Sequence, residues 1–187
     1  MNFKDSEEGF KKNWKSNYNL TGWLISLKKS GKMIPEFGAI KISLLGNDKE
    51  IFNTISVANV SGFDLSEFNS ISQSKFTHFL KKKPTLLSNN EDAFSINLYN
   101  DQNIVKEEKI IELKVNKEGL CLGIIQWMKI QLYKDIEYEN SPSGYVDNST
   151  HWNTPIYLFD KAVSVKKGDI LKIRAFLDTD NLWFFKE

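Results

Sequence analysis

The sequence predicts a mainly β fold, an antiparallel β-barrel or sandwich with a short N-terminal helix. From Phe37 onward, about eight segments with apolar residues at alternate positions are separated by turn residues. The 187 residues are 41% hydrophobic, and a domain of this size buries roughly 70% of its unfolded surface. No regular alternation of strand and helix indicates a nucleotide-binding parallel sheet. We therefore expect one β domain with a single substantial core.

The N-terminal part differs in pattern from the rest of the chain. Its apolar residues recur at the spacing of one helix face: Leu20, Trp23, Leu24 and Leu27. Gly31 follows as a helix-ending residue. We divide the chain into an N-terminal lead-in with this amphipathic helix, residues 1–35, and a β-barrel domain, residues 36–187.

The strands of the barrel domain are predicted in order along the chain. The first begins at Phe37 and ends at the turn formed by Gly46-Asn47-Asp48, and a second is predicted at residues 51–57. Asp64 or Ser66 is suited to cap a single helical turn. The later predicted strands are residues 94–98, 111–115, 120–138, 156–159, 170–177 and 182–185.

A polar loop between two of these strands carries the candidate site, Thr150-His151-Trp152. A histidine and a tryptophan at a loop-to-strand junction can present their polar edges to a ligand. The same pair fits a histidine that is hydrogen-bonded inside the fold beside a core aromatic residue. Asp147 is close enough in sequence to hold the His151 ring in one tautomer.

Composition limits the classes of partner. Lys and Arg number 25 against 24 for Asp and Glu, so no overall field favours nucleic acid or a charged membrane. No apolar run approaches the roughly 20 residues that span a bilayer, and the N-terminus lacks the apolar middle of a signal peptide. The single cysteine, Cys121, lies in an apolar strand and is predicted to be a small buried residue. We expect a cytoplasmic protein without nucleic-acid or membrane partners.

Motifs of catalysis are not found in the sequence. It has no Gly-rich phosphate loop at a strand-to-helix turn and no nucleophile elbow. With only His78, His151 and one cysteine, a zinc site would need carboxylate ligands. We predict no catalytic residue, no metal and no cofactor bound by this chain.

Five landmarks in a fixed order carry a resemblance to a known family. They are Met33-Ile34-Pro35, residues 60–66 (VSGFDLS), residues 123–128 (GIIQWM), Thr150-His151-Trp152-Asn153 and residues 165–169 (VKKGD). Together they cover about residues 20 to 187 and resemble the C-terminal β-barrel domain of the protein arginine methyltransferases.

The resemblance implies a role at a domain junction. In this family a Rossmann-like domain binds S-adenosylmethionine, and the Thr-His-Trp loop helps to wall the substrate arginine pocket. That role would fall here to His151 and Trp152, and the helix from Leu20 to Leu27 looks like the end of the catalytic domain. The family also inserts a dimerisation arm, and between Leu45 and Gly62 this chain has room for little more than a hairpin, which leaves dimerisation through such an arm open.

Three functional hypotheses follow from the resemblance. The first is a non-catalytic barrel subunit of a divided methyltransferase, inactive alone, that docks on a Rossmann-type chain carrying S-adenosylmethionine. The second is a stand-alone module that binds or scaffolds a peptide or protein through His151 and Trp152. The third is a truncated product of a full-length enzyme. Oligomer formation is an expectation of the first hypothesis.

Overall fold

The computed structural model describes residues 34–72, 74–78, 83–97, 106–143, 154–178 and 181–187. In these residues the chain forms eleven strands, one α-helix and one 3-10 helix. The strands are β1 (Phe37–Gly46), β2 (Asn59–Val60), β3 (Phe63–Asp64), β4 (Lys75–His78), β5 (Glu91–Asn97), β6 (Glu107–Lys114), β7 (Gly119–Tyr133), β8 (Ile136–Glu139), β9 (Thr154–Val165), β10 (Ile170–Leu177) and β11 (Leu182–Lys186). The helices are α1 (Lys49–Ile55) and the 3-10 helix Ser66–Ile71.

The strands form three antiparallel sheets. The largest has the order β4-β9-β7-β1-β5, with β8 also paired to β7, and the second has the order β11-β10-β6. The short strands β2 and β3 form a separate hairpin. Among the described residues the hydrogen-bonded ladders do not close into one continuous barrel. The predicted antiparallel, mainly β fold is confirmed.

The two larger sheets pack face to face around the main core. Alternate residues of each strand supply it, as expected for sheets with one face turned inward. The six-stranded sheet contributes Ile42, Leu44, Phe94, Ile124 and Tyr157, and the three-stranded sheet contributes Leu113, Ile173, Ala175 and Phe184. Phe94 and Tyr157 both contact the Phe184 ring, with centroids at 6.5 and 5.0 Å. Aromatic side chains thus join the sheets.

A second, smaller core covers the outer face of the six-stranded sheet. Helix α1 turns Ile51 and Ile55 toward this face, where they join Ile125, Trp127 and Ile156. These five side chains are 9% exposed or less. Strand β7 is therefore buried on both of its faces, which explains the apolar run at its centre.

The strand predicted at residues 51–57 is wrong, because this stretch forms α1. Ile51 and Ile55 are four residues apart, and this spacing places two side chains on one face of either a strand or a helix. Asp48 begins the helix, since its backbone oxygen accepts from Phe52 N at 2.8 Å. Its carboxylate also accepts from Ile51 N at 3.4 Å.

The single long strand predicted at residues 120–138 is also wrong. The structure divides it into β7 and β8, which form a hairpin around Lys134 and Asp135. Lys134 has φ = 50°, the left-handed conformation that such a turn requires. Neither turn residue is Gly, Pro or Asn, so the alternating pattern continues through the turn without an evident break.

Gly123 marks the closest approach of β7 to β9. A Cβ atom at this position would lie 2.0 Å from the carbonyl oxygen of Tyr157. The register of the β7–β9 ladder also shifts between Cys121 and Gly123. Only glycine allows the two backbones to come this close.

We predict that Gly123→Ala lowers the free energy of unfolding by about 1–3 kcal/mol or more, because the added methyl group collides with main-chain atoms that cannot rotate away. The matched control is Gly38→Ala on β1, where the nearest atom, Ile130 Cγ2, is 4.0 Å away. Urea denaturation followed by circular dichroism measures both variants. Equal stability of the two variants would contradict this account of β7.

Candidate functional site

The predicted site residues lie outside the described part of the chain. Asp147, Thr150, His151 and Trp152 belong to the stretch between residues 143 and 154, and Leu20, Trp23, Leu24 and Leu27 precede residue 34. Their roles therefore remain predictions. The structure does describe the two ends of the stretch that carries Thr150-His151-Trp152.

Both ends of this stretch are anchored on the same part of β7. At the first end, Asn140 accepts from Met128 N at 2.8 Å through its side chain and donates to Met128 O at 3.2 Å through its backbone. Trp127 donates its indole N–H to Glu139 at 2.7 Å. At the second end, the buried residue Thr154 begins β9.

The ladders show how close these two ends are along β7. Glu139 pairs with Lys129, and Ile156 pairs with Ile125. Strand β8, which precedes the stretch, and strand β9, which follows it, therefore pair with neighbouring residues of β7. A stretch between two such strands is a suitable carrier of recognition residues.

Residues 57–71, which we call the apolar segment, form a second candidate surface. They comprise the β2–β3 hairpin and the 3-10 helix, and all are exposed except Leu65, which is half-buried. The side-chain amide of Asn69 accepts from Val57 N at 2.9 Å and donates to Val57 O at 2.7 Å. Leu65 N donates to Ala58 O. Hydrogen bonds, rather than a core of its own, hold this segment together.

Large apolar side chains on the segment are open to solvent. The exposed fraction is 79% for Ile71, 70% for Phe63, 59% for Phe68 and 48% for Val60. An apolar surface of this kind marks an interaction site more often than a free surface. The sequence reasoning missed it, although four large apolar residues among polar ones in a short turn-rich stretch were a usable signal.

Local hydrogen bonds shape the turn between β3 and the 3-10 helix. The Asp64 carboxylate accepts from Ser66 N at 2.9 Å and so forms an Asx turn. This bond, together with one from the Ser66 side chain, lowers the pKa of Asp64. The predicted cap at Asp64 or Ser66 is wrong, because Leu65 is the N-cap residue of the 3-10 helix and no side chain caps it. Between Leu45 and Gly62 the structure places α1 and β2, so this stretch holds a helix as well as part of a hairpin.

An aromatic cleft of about 480 Å³ lies between β9 and β11. Tyr157 and Phe159 line it from β9, and Trp183 and Phe185 line it from β11. The rings of Trp183 and Phe185 stack at 6.1 Å with an interplanar angle of 15°. The sequence reasoning treated β11 only as a terminal strand and missed this cleft, which the aromatic run of residues 183–185 indicates.

Beside the aromatic cleft, two polar side chains contact a single carbonyl group, that of Leu182. Lys75 Nζ donates to Leu182 O at 3.3 Å and lies 5.1 and 5.3 Å from the ring centroids of Tyr157 and Trp183. Burial lowers the pKa of Lys75. The Tyr157 hydroxyl is 2.7 Å from Gln126 Oε1 and 3.2 Å from Leu182 O, and its one proton goes to the nearer acceptor. Burial raises the pKa of Tyr157.

The outer face of the three-stranded sheet forms a broad charged depression. Three acidic and three basic side chains line it together with Ile110: Glu108, Glu112, Glu187, Lys109, Lys172 and Arg174. Their formal charges cancel, and Arg174 contacts both Glu108 and Glu187. This face presents paired charges to solvent and no net field toward a ligand.

The described residues offer little for catalysis or metal binding. No group of three or more His, Cys, Asp or Glu side chains comes together there in a way that could hold a metal ion. Cys121 is fully buried, as predicted, and burial raises the pKa of its thiol to about 11. In the same residues, no helix is long and apolar enough to cross a membrane.

Comparison with known proteins identifies the family. The arginine methyltransferase oligomerization subdomain matches residues 47–183. Protein arginine N-methyltransferase 2 of Xenopus tropicalis is 23% identical over 170 residues, which cover 84% of this chain and 39% of that protein. A chain of the Trypanosoma brucei PRMT1 enzyme–prozyme heterotetrameric complex with AdoHcy has a similar fold, with a TM-score of 0.66 and 13% identity.

The chain belongs to the protein arginine methyltransferase family and contains its oligomerization subdomain. The resemblance seen in the sequence is thereby confirmed. The chain spans 39% of the Xenopus relative and 53% of the Trypanosoma chain. The match to the Trypanosoma chain covers 84% of this chain. The apolar segment, the aromatic cleft and the base of the Thr150-His151-Trp152 stretch all fall within residues 47–183 or at their edge.

We predict that Cys121 in the folded protein resists iodoacetamide at pH 8. With the pKa raised to about 11 from 9.0, the thiolate fraction at this pH falls about 100-fold, and burial slows the reaction further. Mass spectrometry should show alkylation that follows the unfolding transition in urea. Rapid alkylation without urea would contradict the buried position of this thiol.

Proposed function

We propose that this chain is a non-catalytic barrel subunit of a divided protein arginine methyltransferase-like enzyme. It would dock on a separate Rossmann-type chain that binds S-adenosylmethionine and would contribute part of the substrate-binding surface. The observation that carries this proposal is the apolar segment, residues 57–71, which lies exposed within the family's oligomerization subdomain.

The energetics of the apolar segment favour a protein partner. Phe63, Phe68 and Ile71 are each more than half exposed, and fully burying a side chain of this size contributes about 1.5–3 kcal/mol. Hydrogen bonds such as those of Asn69 to Val57 already order the backbone, which reduces the entropy that binding would cost. A preordered apolar surface of this kind suits a stable contact between chains.

The nature of the partner follows from the chemistry of methyl transfer. The sulfonium methyl group and the accepting nitrogen must be held in line at near-attack distance, so catalysis depends on positioning. We propose that the partner chain binds S-adenosylmethionine and that this chain binds no cofactor of its own. The enzyme–prozyme complex, a relative in fold, supports an assembly of two unlike chains.

The predicted site residues have places in this proposal. His151 and Trp152, with Thr150 and Asp147, would wall the substrate pocket where the two chains meet. The hydrogen bonds between Asn140 and Met128 would fix the start of their stretch on β7. The helical face formed by Leu20, Trp23, Leu24 and Leu27 would dock on the same partner.

The docking prediction concerns two exposed residues of the apolar segment. The partner chain is detected as a co-purifying chain that ultraviolet light cross-links to radiolabelled S-adenosylmethionine. We expect the double variant Phe63→Asp, Ile71→Asp to abolish its co-purification, because the new carboxylates would be buried at the interface. Both positions are exposed, so thermal unfolding of the isolated chain should not change. The wild-type chain, tagged and isolated from its native source, provides the reference.

Ile170→Asp is the matched control for the docking experiment. Ile170 is 56% exposed on the three-stranded sheet, and the substitution again replaces an exposed apolar side chain by aspartate. The amount of the co-purified, cross-linked chain should not change. Equal losses in the control and in the double variant would rule out docking through the apolar segment. Label on the barrel chain itself would contradict the proposal that this chain binds no cofactor.

A further prediction separates substrate binding from assembly. In the reconstituted pair of chains, His151→Ala and Trp152→Ala should each lower kcat/KM for an arginine-containing peptide by about 10- to 100-fold, the cost of misplaced reactants. Sedimentation of the complex should not change. An unchanged kcat/KM would place both residues outside the pocket, and weaker peptide binding by the isolated chain would favour a stand-alone binding module instead.

A further inference from the structure

Among the described residues, no strand pairs with the edge of β11 that borders the aromatic cleft. Glu187 N donates to Lys172 O, and Asp178 N donates to Asn181 O. Glu187 and Asn181 therefore turn their backbone groups toward β10. In an antiparallel ladder these residues alternate with others whose groups point away from the partner strand. The backbone groups of Phe184 and Lys186 therefore point away from β10, as does the Leu182 carbonyl that Lys75 contacts.

The two edges of the three-stranded sheet are protected very differently. The edge strand β6 carries five charged side chains in eight residues: Glu107, Glu108, Lys109, Glu112 and Lys114. Charges of this density discourage pairing with other strands. The opposite edge strand, β11, has the sequence LWFFK, with one charge at its end. In the described residues β10 is the only strand that is hydrogen-bonded to it.

The facing wall of the aromatic cleft comes from an irregular part of β9. Gly123 pairs with Leu158 and Cys121 with Val163, so a step of two residues in β7 corresponds to five in β9. The intervening residues of β9 bulge from the ladder and line the cleft opposite β11. The cleft is thus bounded by a strand edge, an aromatic surface and a bulge.

We infer that β11 accepts an extended segment of a partner polypeptide as an added strand within the aromatic cleft. Phe184 and Lys186 would supply backbone hydrogen bonds, and the exposed ring of Phe185 would contact apolar side chains of the segment. The contacts of Lys75 and Tyr157 with Leu182 O limit the added strand at one end.

Charge selects among extended segments. The charged residues that line the cleft are Lys161, Lys186 and Asp160, which leave one net positive charge. The Lys75 ammonium lies nearby, over the ring of Tyr157. The segment that fits has acidic residues alternating with apolar ones. This inference uses residues other than those of the apolar segment and does not rest on the proposed function.

The probe is a fluorescein-labelled, terminally blocked peptide of eight residues in which glutamate and valine alternate. Titration of the isolated wild-type chain should give a saturable rise in anisotropy. A peptide with lysine in place of glutamate should bind about tenfold more weakly, since the net charge of the cleft repels it. The glutamate–valine peptide with methylated backbone nitrogens keeps its side chains and lacks the backbone donors. It should bind about tenfold more weakly than the unmethylated peptide.

Two variants test where the probe binds. Phe185→Ala should weaken binding about tenfold, whereas Phe52→Ala on α1 should not, although the two side chains are similarly exposed at 51% and 47%. Lys186→Glu should reverse the preference between the two charged peptides. Equal binding of the methylated peptide, equal effects of the two phenylalanine variants, or self-association of the chain in place of peptide binding would each overturn the inference.

Discussion

The fold depends on the burial of both faces of strand β7. Its inward residue Ile124 belongs to the core between the two sheets, while Ile125 and Trp127 face the smaller core under α1. The same strand pairs with β1, β8 and β9. The close approach at Gly123 brings β9 onto it. Because three strands and both cores meet on one strand, its sequence is constrained more tightly than that of any edge strand.

The parts of the molecule suited to interaction are attached to this rigid centre and are not part of it. The stretch that carries His151 and Trp152 departs from β7 beside Met128 and returns there. The apolar segment follows α1 in the chain. Ile51 and Ile55 hold α1 to the outer face of the six-stranded sheet. Loops and hairpins attached to a packed sheet can vary in sequence without loss of the fold, which suits them to partner-specific contacts.

Sequence reasoning succeeded where local pattern and tertiary environment agree. Strand β10 lies at the predicted bounds Ile170–Leu177, and the turn at Gly168 has the left-handed φ of 99° that favours glycine. It failed where one pattern fits two structures. The spacing of Ile51 and Ile55 suits a strand and a helix alike, and packing on Trp127 decides for the helix. The hairpin at Lys134 was missed because its turn contains no Gly, Pro or Asn and the lone Asp135 does not interrupt the alternating apolar pattern.

The sequence by itself determined the antiparallel β class, the family and the buried state of Cys121, since each depends on composition, periodicity or ordered motifs along the chain. It also indicated the loop of His151 and Trp152 as the candidate site, whose role remains a prediction. Only the tertiary structure revealed the exposed side chains of Phe63 and Ile71 and the edge of β11 with which no other described strand pairs. Exposure and unpaired edges depend on which distant strands become neighbours, and local sequence patterns do not encode that pairing.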